Sequence, residues 1–298
     1  MKALVIINVG KDESMKIALE MKEYLNDLSV ETDFINFDGF SDNFTISNYD
    51  FAITLGGDGT VLYAARNCVE NNIPIFPVNL GQFGFIATVQ PEDWKKELLN
   101  FLHNDVVKTQ RLMLKAEVLR NKKSVYSSFG LNEIVICATR AASAISLDVE
   151  YNSVPLCKLI SDGVIVSTPT GSTAYSAAAG GPIIDSEMEV CVLTPVNPFS
   201  LSSRPLVLNP NGKIQIKVCS SRNKDACISV DGQQPFQLRC DDKIVIQKLE
   251  KKITLISSTQ EKFYNALRSK LNWSGVPHAW RYYNKRFCFN RIYIFRVS

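Results

Sequence analysis

Hydrophobic periodicity changes character part-way along this chain, and the change restricts the folds it can adopt. In the first part, short apolar runs alternate with stretches of helical spacing. "ALVIINV", "TDFINF", "FAITL" and "IPIFPVN" read as strands, the continuous ones buried on both faces. Between them, "SMKIALEMKEYLNDL" puts Met15, Ile17, Leu19, Met21, Leu25 and Leu28 at helical spacing, with Ser14 available as an N-cap. "VLYAARNCVE" and "PEDWKKELLNFLHN" read as further helices, the second with Pro91 and two acids near its start. Strands alternating with helices need crossovers, which predicts a parallel sheet.

Beyond residue 108 the helical spacing stops. "LMLKAEVLRN", "KSVYSSFGLNEIVICA", "AISLDVEYN", "DGVIVSTP", "GKIQIKVC", "ACISVDGQ" and "DKIVIQKL" are strand-like with turn residues between them. Only "STAYSAAAGG" reads as helical there. "EKFYNALRSKLNW" returns to helical spacing near the end. The expected fold is an α/β N-terminal domain with a parallel sheet, plus an all-β sandwich-like C-terminal domain, with a C-terminal helix packing back on the first. The expected units are 1–108, 109–250, a returning segment 251–273, and a tail 274–298.

Lys and Arg number 33 against 30 Asp and Glu, a net charge of +3, which argues against a dedicated nucleic-acid binder. Eight cysteines include no C-x-x-C pair, which argues against a zinc site. No run is long enough for a membrane span and the N-terminus lacks a signal-peptide pattern. A cytoplasmic protein with reduced thiols is expected. The tail mixes Arg281, Lys285, Arg286, Arg291 and Arg296 with seven aromatics and has no acids. Such a mixture suits single-stranded nucleic acid or an anionic membrane, and equally a docked strand or an oligomer contact. Neither a nucleic-acid nor a membrane partner is expected.

Two glycine-rich stretches carry the chemistry. In "FAITLGGDGTVLYAARNC" a strand feeds Gly56-Gly57-Asp58-Gly59 and then a helix. Glycines permit positive φ and close backbone approach, and the helix N-terminus favours an anion, so phosphate can bind there. Asp58 would repel phosphate. It makes sense as a general base or a magnesium ligand, or else as a residue that shapes the turn. The second stretch, "SDGVIVSTPTGSTAYSAAAGGPI", crowds Thr168, Thr170, Ser172, Thr173 and Ser176 before an alanine run. Hydroxyls can bond a ligand, small side chains leave room for a flat one, and Tyr175 can stack on a ring. A tightly packed helix seam is the plainer reading. In "LNEIVI", Asn132 can bond an adenine edge and Glu133 ribose hydroxyls, although such a pair in a hairpin is commonly only a turn.

Taken together, "GGDGT", "NLGQFGFI", "LNE", "DGVIVSTPTGSTAYSAAAGGPI", "LTPVNPFSLSSRPLVL" and "SVDGQ" resemble the NAD kinase family, over about Ala3 to Trp273. The resemblance implies ATP-dependent phosphorylation of the 2′-hydroxyl of NAD's adenosine ribose, with a divalent metal, usually Mg2+, and a homotetramer or homodimer. It implies Asp58 as general base. It implies nucleotide contacts at Gly57 and Gly59, and NAD contacts at Asn132, Glu133 and Asp162. The segment Thr173, Ala174, Tyr175, Ser176, Ala177 and Ala178 would lie along the dinucleotide, and Gln233 beside it. No protein metal ligand is assigned. Tyr63 and Phe199 depart from the family pattern, which often has a basic residue and a histidine there; Lys158 or Arg66 can replace the missing charge. A lipid kinase sharing the glycine-aspartate turn and a non-catalytic NAD(P) sensor are the alternatives.

Overall fold

The computed structural model describes residues 1–11, 13–39, 46–81, 84–140, 143–219, 226–271 and 273. Gln82 and Phe83 of the "NLGQFGFI" motif and the basic aromatic tail lie outside the described residues.

The first part of the chain forms β1 (Lys2–Asn8), α1 (Ser14–Asp27), β2 (Glu31–Phe37), β3 (Phe51–Gly56), α2 (Asp58–Cys68), β4 (Ile75–Asn79), α3 (Trp94–Leu102) and β5 (Lys108–Arg111). Then come β6 (Leu114–Arg120), β7 (Lys123–Gly130), β8 (Glu133–Ala138), β9 (Ile145–Tyr151), β10 (Val154–Ser161) and β11 (Gly163–Ser167). They are followed by α4 (Tyr175–Ala178), β12 (Cys191–Val196), β13 (Leu206–Leu208), β14 (Ile214–Val218), β15 (Ala226–Val230), β16 (Phe236–Leu238) and β17 (Lys243–Lys248). The last elements are β18 (Ile253–Ile256) and α5 (Gln260–Lys270).

The first sheet runs β2-β1-β3-β4-β18-β5, with β2, β1, β3, β4 and β18 joined by parallel pairing and β5 antiparallel at the edge. Its strands are buried on both faces, as their continuous apolar runs require. Ala3, Val5 and Ile7 of β1 point to one side, against Ala18, Met21 and Leu25 of α1 and Trp94, Leu98 and Phe101 of α3. Leu4 and Ile6 point to the other, against Val61, Ala64 and Ala65 of α2. The helices therefore cover both sides. Ser14 does not cap α1. Glu13 holds the cap position, and the Ser14 hydroxyl turns inward to donate to the carbonyls of Asn8 (2.8 Å) and Lys11 (2.7 Å).

Two antiparallel sheets, β10-β9-β14-β17-β6-β7 and β13-β12-β11-β8-β15-β16, close over a common core. Alternating residues such as Ile134, Ile136, Val164 and Val166 face Ala116, Val118, Leu147 and Ile216 across it. The chain then re-enters the first sheet as β18, between β4 and β5. α5 follows, capped by the Thr259 hydroxyl accepting from the Lys262 N–H (3.2 Å) and tied to α3 by Lys262–Glu97 (3.1 Å). Its Phe263 ring lies beside Phe85.

The expected helix over "STAYSAAAGG" is much shorter. A 3-10 turn covers Thr170–Thr173, Ala174 leaves helical geometry at φ −98 and ψ −129, and α4 then makes a single turn.

Candidate active site

Asp58 is the first residue of α2, directly after β3 and the N-cap Gly57. Its carboxylate reaches across to the loop after β4. Oδ2 accepts from the Phe85 N–H (2.9 Å), and Oδ1 accepts from Ile86 (3.1 Å) and Ala87 (2.9 Å). A Cβ at Gly84 would collide with Asp58 Oδ1, so only glycine lets this loop approach. The three glycines of the turn differ from expectation: none of Gly56, Gly57 and Gly59 has a positive φ. At Gly57 and Gly59 an added Cβ would meet nothing within 4 Å. Their bareness serves open space above the α2 N-terminus rather than backbone strain.

Asn132 and Glu133 are not in a hairpin. β7 belongs to one sandwich sheet and β8 to the other, so Leu131 and Asn132 make the passage between sheets. Leu131 inserts into the core beneath α2, with Val61 and Leu62. The passage is held from the far side by Asp231, just after β15. Its buried carboxylate accepts from the N–H groups of Leu131 (2.8 Å), Asn132 (2.8 Å) and Glu133 (3.0 Å). Burial pushes the Asp231 carboxyl up, while those three donors and the Arg66 guanidinium pull it back. Arg66, on α2, thereby links the helix that begins at Asp58 to the Asn132–Glu133 passage. Sequence reasoning missed Asp231 as a holder of this passage. "SVDGQ" was the available signal, since Asp231 adopts a positive φ of 49° that turns its side chain back on the strand.

The passage presents two unsatisfied groups. Asn132 Oδ1 and Glu133 Oε2 are buried without a hydrogen-bond partner. Burial and the nearby Asp231 charge push the Glu133 carboxyl up to about 8, against a lowering contribution from the Tyr175 backbone N–H. Buried polar atoms are ordinarily paired, so these point to a ligand.

The hydroxyl-rich turn packs onto the same passage. A Cβ at Gly171 would strike the Asn132 carbonyl. Most of its hydroxyls are spent inside the protein, contrary to their reading as ligand groups. Thr168 donates to the Leu131 carbonyl (2.6 Å), Ser172 to that of Pro169 (2.7 Å), and Thr173 to that of Thr170 (3.3 Å). Ser176 is buried and pairs with Thr194 (3.0 Å). The surface left outward consists of Tyr175 and Ala178, exposed, with Thr173, Ala174 and Ala177 half-buried. Thr170 shares a small cavity with Phe85 and Ile86, so this turn also meets the loop that holds Asp58. Gln233 is half-buried in the turn after Asp231, its carbonyl accepting from Ser229 (2.7 Å). Asp162 stands apart. It precedes β11, whose other end, Ser167, pairs with Glu133, and its carboxylate accepts from Asn197 (2.9 Å).

Of the two departures, Tyr63 resolves as packing and Phe199 does not. Tyr63 is 1% exposed and stacks on Phe37 with ring centroids 4.6 Å apart, so arginine there would bury its charge in the core. Arg66 is buried and serves Asp231, while Lys158 is exposed and paired with Asp148 (3.6 Å). Phe199 is 83% exposed. Among the described residues no three His, Cys, Asp or Glu side chains gather to hold a metal.

The ATP-NAD kinase N-terminal domain matches residues 30–106, and the ATP-NAD kinase C-terminal domain matches residues 131–258. An NAD kinase of Treponema denticola is 43% identical over 275 residues, spanning 92% of this chain and 97% of that protein. One from a Thermoanaerobacter species is 34% identical, spanning 91% and 98%. An NAD kinase from Archaeoglobus fulgidus, solved in complex with ATP, superposes with a TM-score of 0.73 at 25% identity, covering 91% of this chain and 99% of that one. Yeast NADH kinase complexed with NADH shares the fold, with a TM-score of 0.82 at 23% identity, covering 93% and 89%. The chain belongs to the NAD kinase family.

Proposed function

We propose that this chain is an NAD kinase that transfers the γ-phosphoryl group of ATP to the 2′-hydroxyl of NAD's adenosine ribose, giving NADP and ADP. The observation that carries the reading at the site is the pair of buried, partnerless atoms, Asn132 Oδ1 and Glu133 Oε2, on a passage packed against α2. An amide beside a carboxyl fits a nucleoside, the amide bonding a base edge and the carboxyl a ribose hydroxyl. With its carboxyl pushed up to about 8, Glu133 is protonated at neutral pH before NAD arrives, and can donate as well as accept. Tyr175 offers an exposed ring for stacking, with Ala174, Ala177 and Ala178 leaving space along it. Thr173, Ser176, Asp162 and Gln233 complete the NAD-binding set. Ser176 acts through its bond to Thr194, and Asp162 lies at the far end of β11.

Asp58 is the general base. Two N–H donors occupy Oδ1 and one occupies Oδ2, which leaves a lone pair on Oδ2 for the incoming hydroxyl proton. Phosphoryl transfer asks mainly for positioning and charge neutralisation, and the same three bonds fix where the carboxylate points. Gly57 and Gly59 leave the α2 N-terminus bare for the phosphates. Among the described residues no carboxylate cage is formed, so a divalent cation such as Mg2+ would be held through the substrate phosphates and would supply charge neutralisation there.

The protein works in the cytoplasm as a homotetramer or homodimer. The seven described cysteines are free thiols, in keeping with a reducing compartment. No described helix is long and apolar enough to cross a membrane. Self-association is supported by an apolar edge: Val154, Leu156 and Ile160 on β10, Leu206 and Val207 on β13, and Phe199 and Leu201 between β12 and β13 are all exposed. The Phe199 N–H donates to the Ile160 carbonyl (2.9 Å), joining the loop to β10. Sedimentation of a Leu201→Glu chain should report smaller particles than wild type.

The test is NADP formation from NAD, ATP and Mg2+, followed with an NADP-specific dehydrogenase. A wild-type chain that binds NAD but makes no NADP, with ATP or with polyphosphate as donor, would sink the kinase reading in favour of a sensor.

A further inference from the structure

Cys137 lies in β8 and Cys227 in β15, and the two are direct partners in the antiparallel register. Their sulfurs are 3.7 Å apart. Neither is used by the proposed reaction. The type of pair follows from its neighbours. Asp231 donates its N–H to the Glu133 carbonyl (3.0 Å), which makes Glu133–Asp231 a hydrogen-bonded pair. Alternation along the ladder makes Cys137–Cys227 the same type. Such pairs have Cα atoms about 5.5 Å apart, which is where disulfides most often fall. The Cα spacing suits a disulfide, while the Cβ atoms of such a pair, about 5 Å apart, must draw in toward the roughly 3.5–4.5 Å that the bond needs, so closure asks for side-chain rotation and a small local tightening of the two strands.

We propose that Cys137 and Cys227 are a redox-modification site that closes to a reversible disulfide on reaction with a hydroperoxide. Cys137 is half-exposed, while Cys227 is 7% exposed, so the peroxide meets Cys137 first. The Cys137 thiolate attacks the peroxide. A sulfur–oxygen bond forms, the oxygen–oxygen bond breaks, and the other oxygen leaves as an alcohol or water. The Cys227 sulfur then attacks the sulfenic sulfur of Cys137. The sulfur–sulfur bond forms, the sulfur–oxygen bond breaks, and water leaves with the Cys227 proton. Two thiols are oxidised by two electrons in all, and one peroxide is reduced. A dithiol returns the electrons by exchange.

The electrostatics agree with this order. Either thiol can donate across the contact; with buried Cys227 as the donor, the bond lowers the Cys137 thiol to about 7 and raises Cys227. Buried Cys68 and Cys191 are instead pushed up to about 12, which makes them unreactive. Exposed Cys157 and Cys240 are free thiols, Cys240 donating to the Asp241 carboxylate (3.6 Å).

The experiment treats the full-length chain with one equivalent of hydrogen peroxide, then maps peptides by mass without reduction. The expected product joins the Cys137 and Cys227 peptides, with the loss of two hydrogens, and dithiothreitol restores both thiols. In a Cys227→Ser chain, Cys137 should stop as a sulfenic acid that dimedone traps. A different partner for Cys137, or oxidation of Cys157 or Cys240 with Cys137 and Cys227 both left as thiols, would overturn the proposal. The readout is covalent and stands whether or not the chain phosphorylates NAD.

Discussion

Asp58 and Asp231 are held in the same way and stand in different surroundings. Each carboxylate accepts three N–H bonds from consecutive residues of a distant loop, 85–87 for Asp58 and 131–133 for Asp231. Asp231 is buried, with the Arg66 charge acting on it. Asp58 is half-exposed at the start of a helix with bare glycines on both sides. The shared device ties a loop to a carboxylate. Only the open one keeps a lone pair that a substrate can reach. Under the proposed reaction, access is what separates a scaffold aspartate from a reacting one, and each half can be broken separately.

The largest effect is expected at Asp58. Asp58→Asn keeps the shape and removes the base, so kcat should fall by about 10²–10⁴-fold. Its cost in stability should stay below about 2 kcal/mol, the worth of one or two altered hydrogen bonds. Parallel kinetics and urea denaturation would check this. A loss of activity matched by an equal collapse of the fold would make Asp58 a scaffold like Asp231.

Asp231→Asn should behave in reverse. The amide nitrogen faces donors rather than accepting from them, and the Arg66 charge loses its counter-charge. Removing one member of a buried charged arrangement typically costs about 3–5 kcal/mol. Denaturation should show that loss, with the KM for NAD raised and kcat of the folded protein within a fewfold of wild type. Unchanged stability would show that the 131–133 passage holds itself.

Glu133 sharpens the contrast through pH. Its carboxyl is pushed from an ordinary value near 4.5 up to about 8. The folded state therefore keeps a proton that the unfolded chain gives up. The stability linked to Glu133 is fully present below about pH 4.5 and declines as pH rises toward 8. The slope in that window is at most about 1.4 kcal/mol per pH unit. Glu133→Gln should remove this component, so the difference in stability between the two chains should grow from pH 5 to 8. Parallel curves would mean that Glu133 is already ionised in the folded protein.

Local features of the site were legible before the structure, and long-range ones were not. The alternating first part, the strand-only second part and the returning helix follow from periodicity, which acts over a few residues. Asp58 stood out because a carboxylate would repel phosphate at such a glycine turn, with shaping the turn as the equal alternative. Gly84 gave no such signal and Asp231 only the "SVDGQ" motif, because their reasons lie about 26 and 100 residues away, in the Asp58 carboxylate and the 131–133 amides. The hydroxyls of "TPTGSTAYS" misled for the same reason. Their acceptors, such as the Leu131 carbonyl and Thr194, appear only once the sheets are assembled. The separation of β7 from β8 into different sheets was hidden by a sequence that runs almost unbroken across both.

The smallest expected effect concerns the bare helix start beside Asp58. Gly59 lies inside α2, where alanine is favoured by up to about 1 kcal/mol. An added Cβ there meets no protein atom within 4 Å. Gly59→Ala should therefore leave the melting temperature unchanged or raise it. If the space is kept for phosphates, the same methyl should lower kcat/KM for ATP by about tenfold or more, the worth of one methylene in a closed site. Gly171→Ala is the counterpart on the other loop, since its methyl would strike the Asn132 carbonyl and should lower stability first. A Gly59→Ala chain that is both more stable and fully active would show that the opening over Asp58 is wider than its substrates need, and would weaken access as what distinguishes the two aspartates.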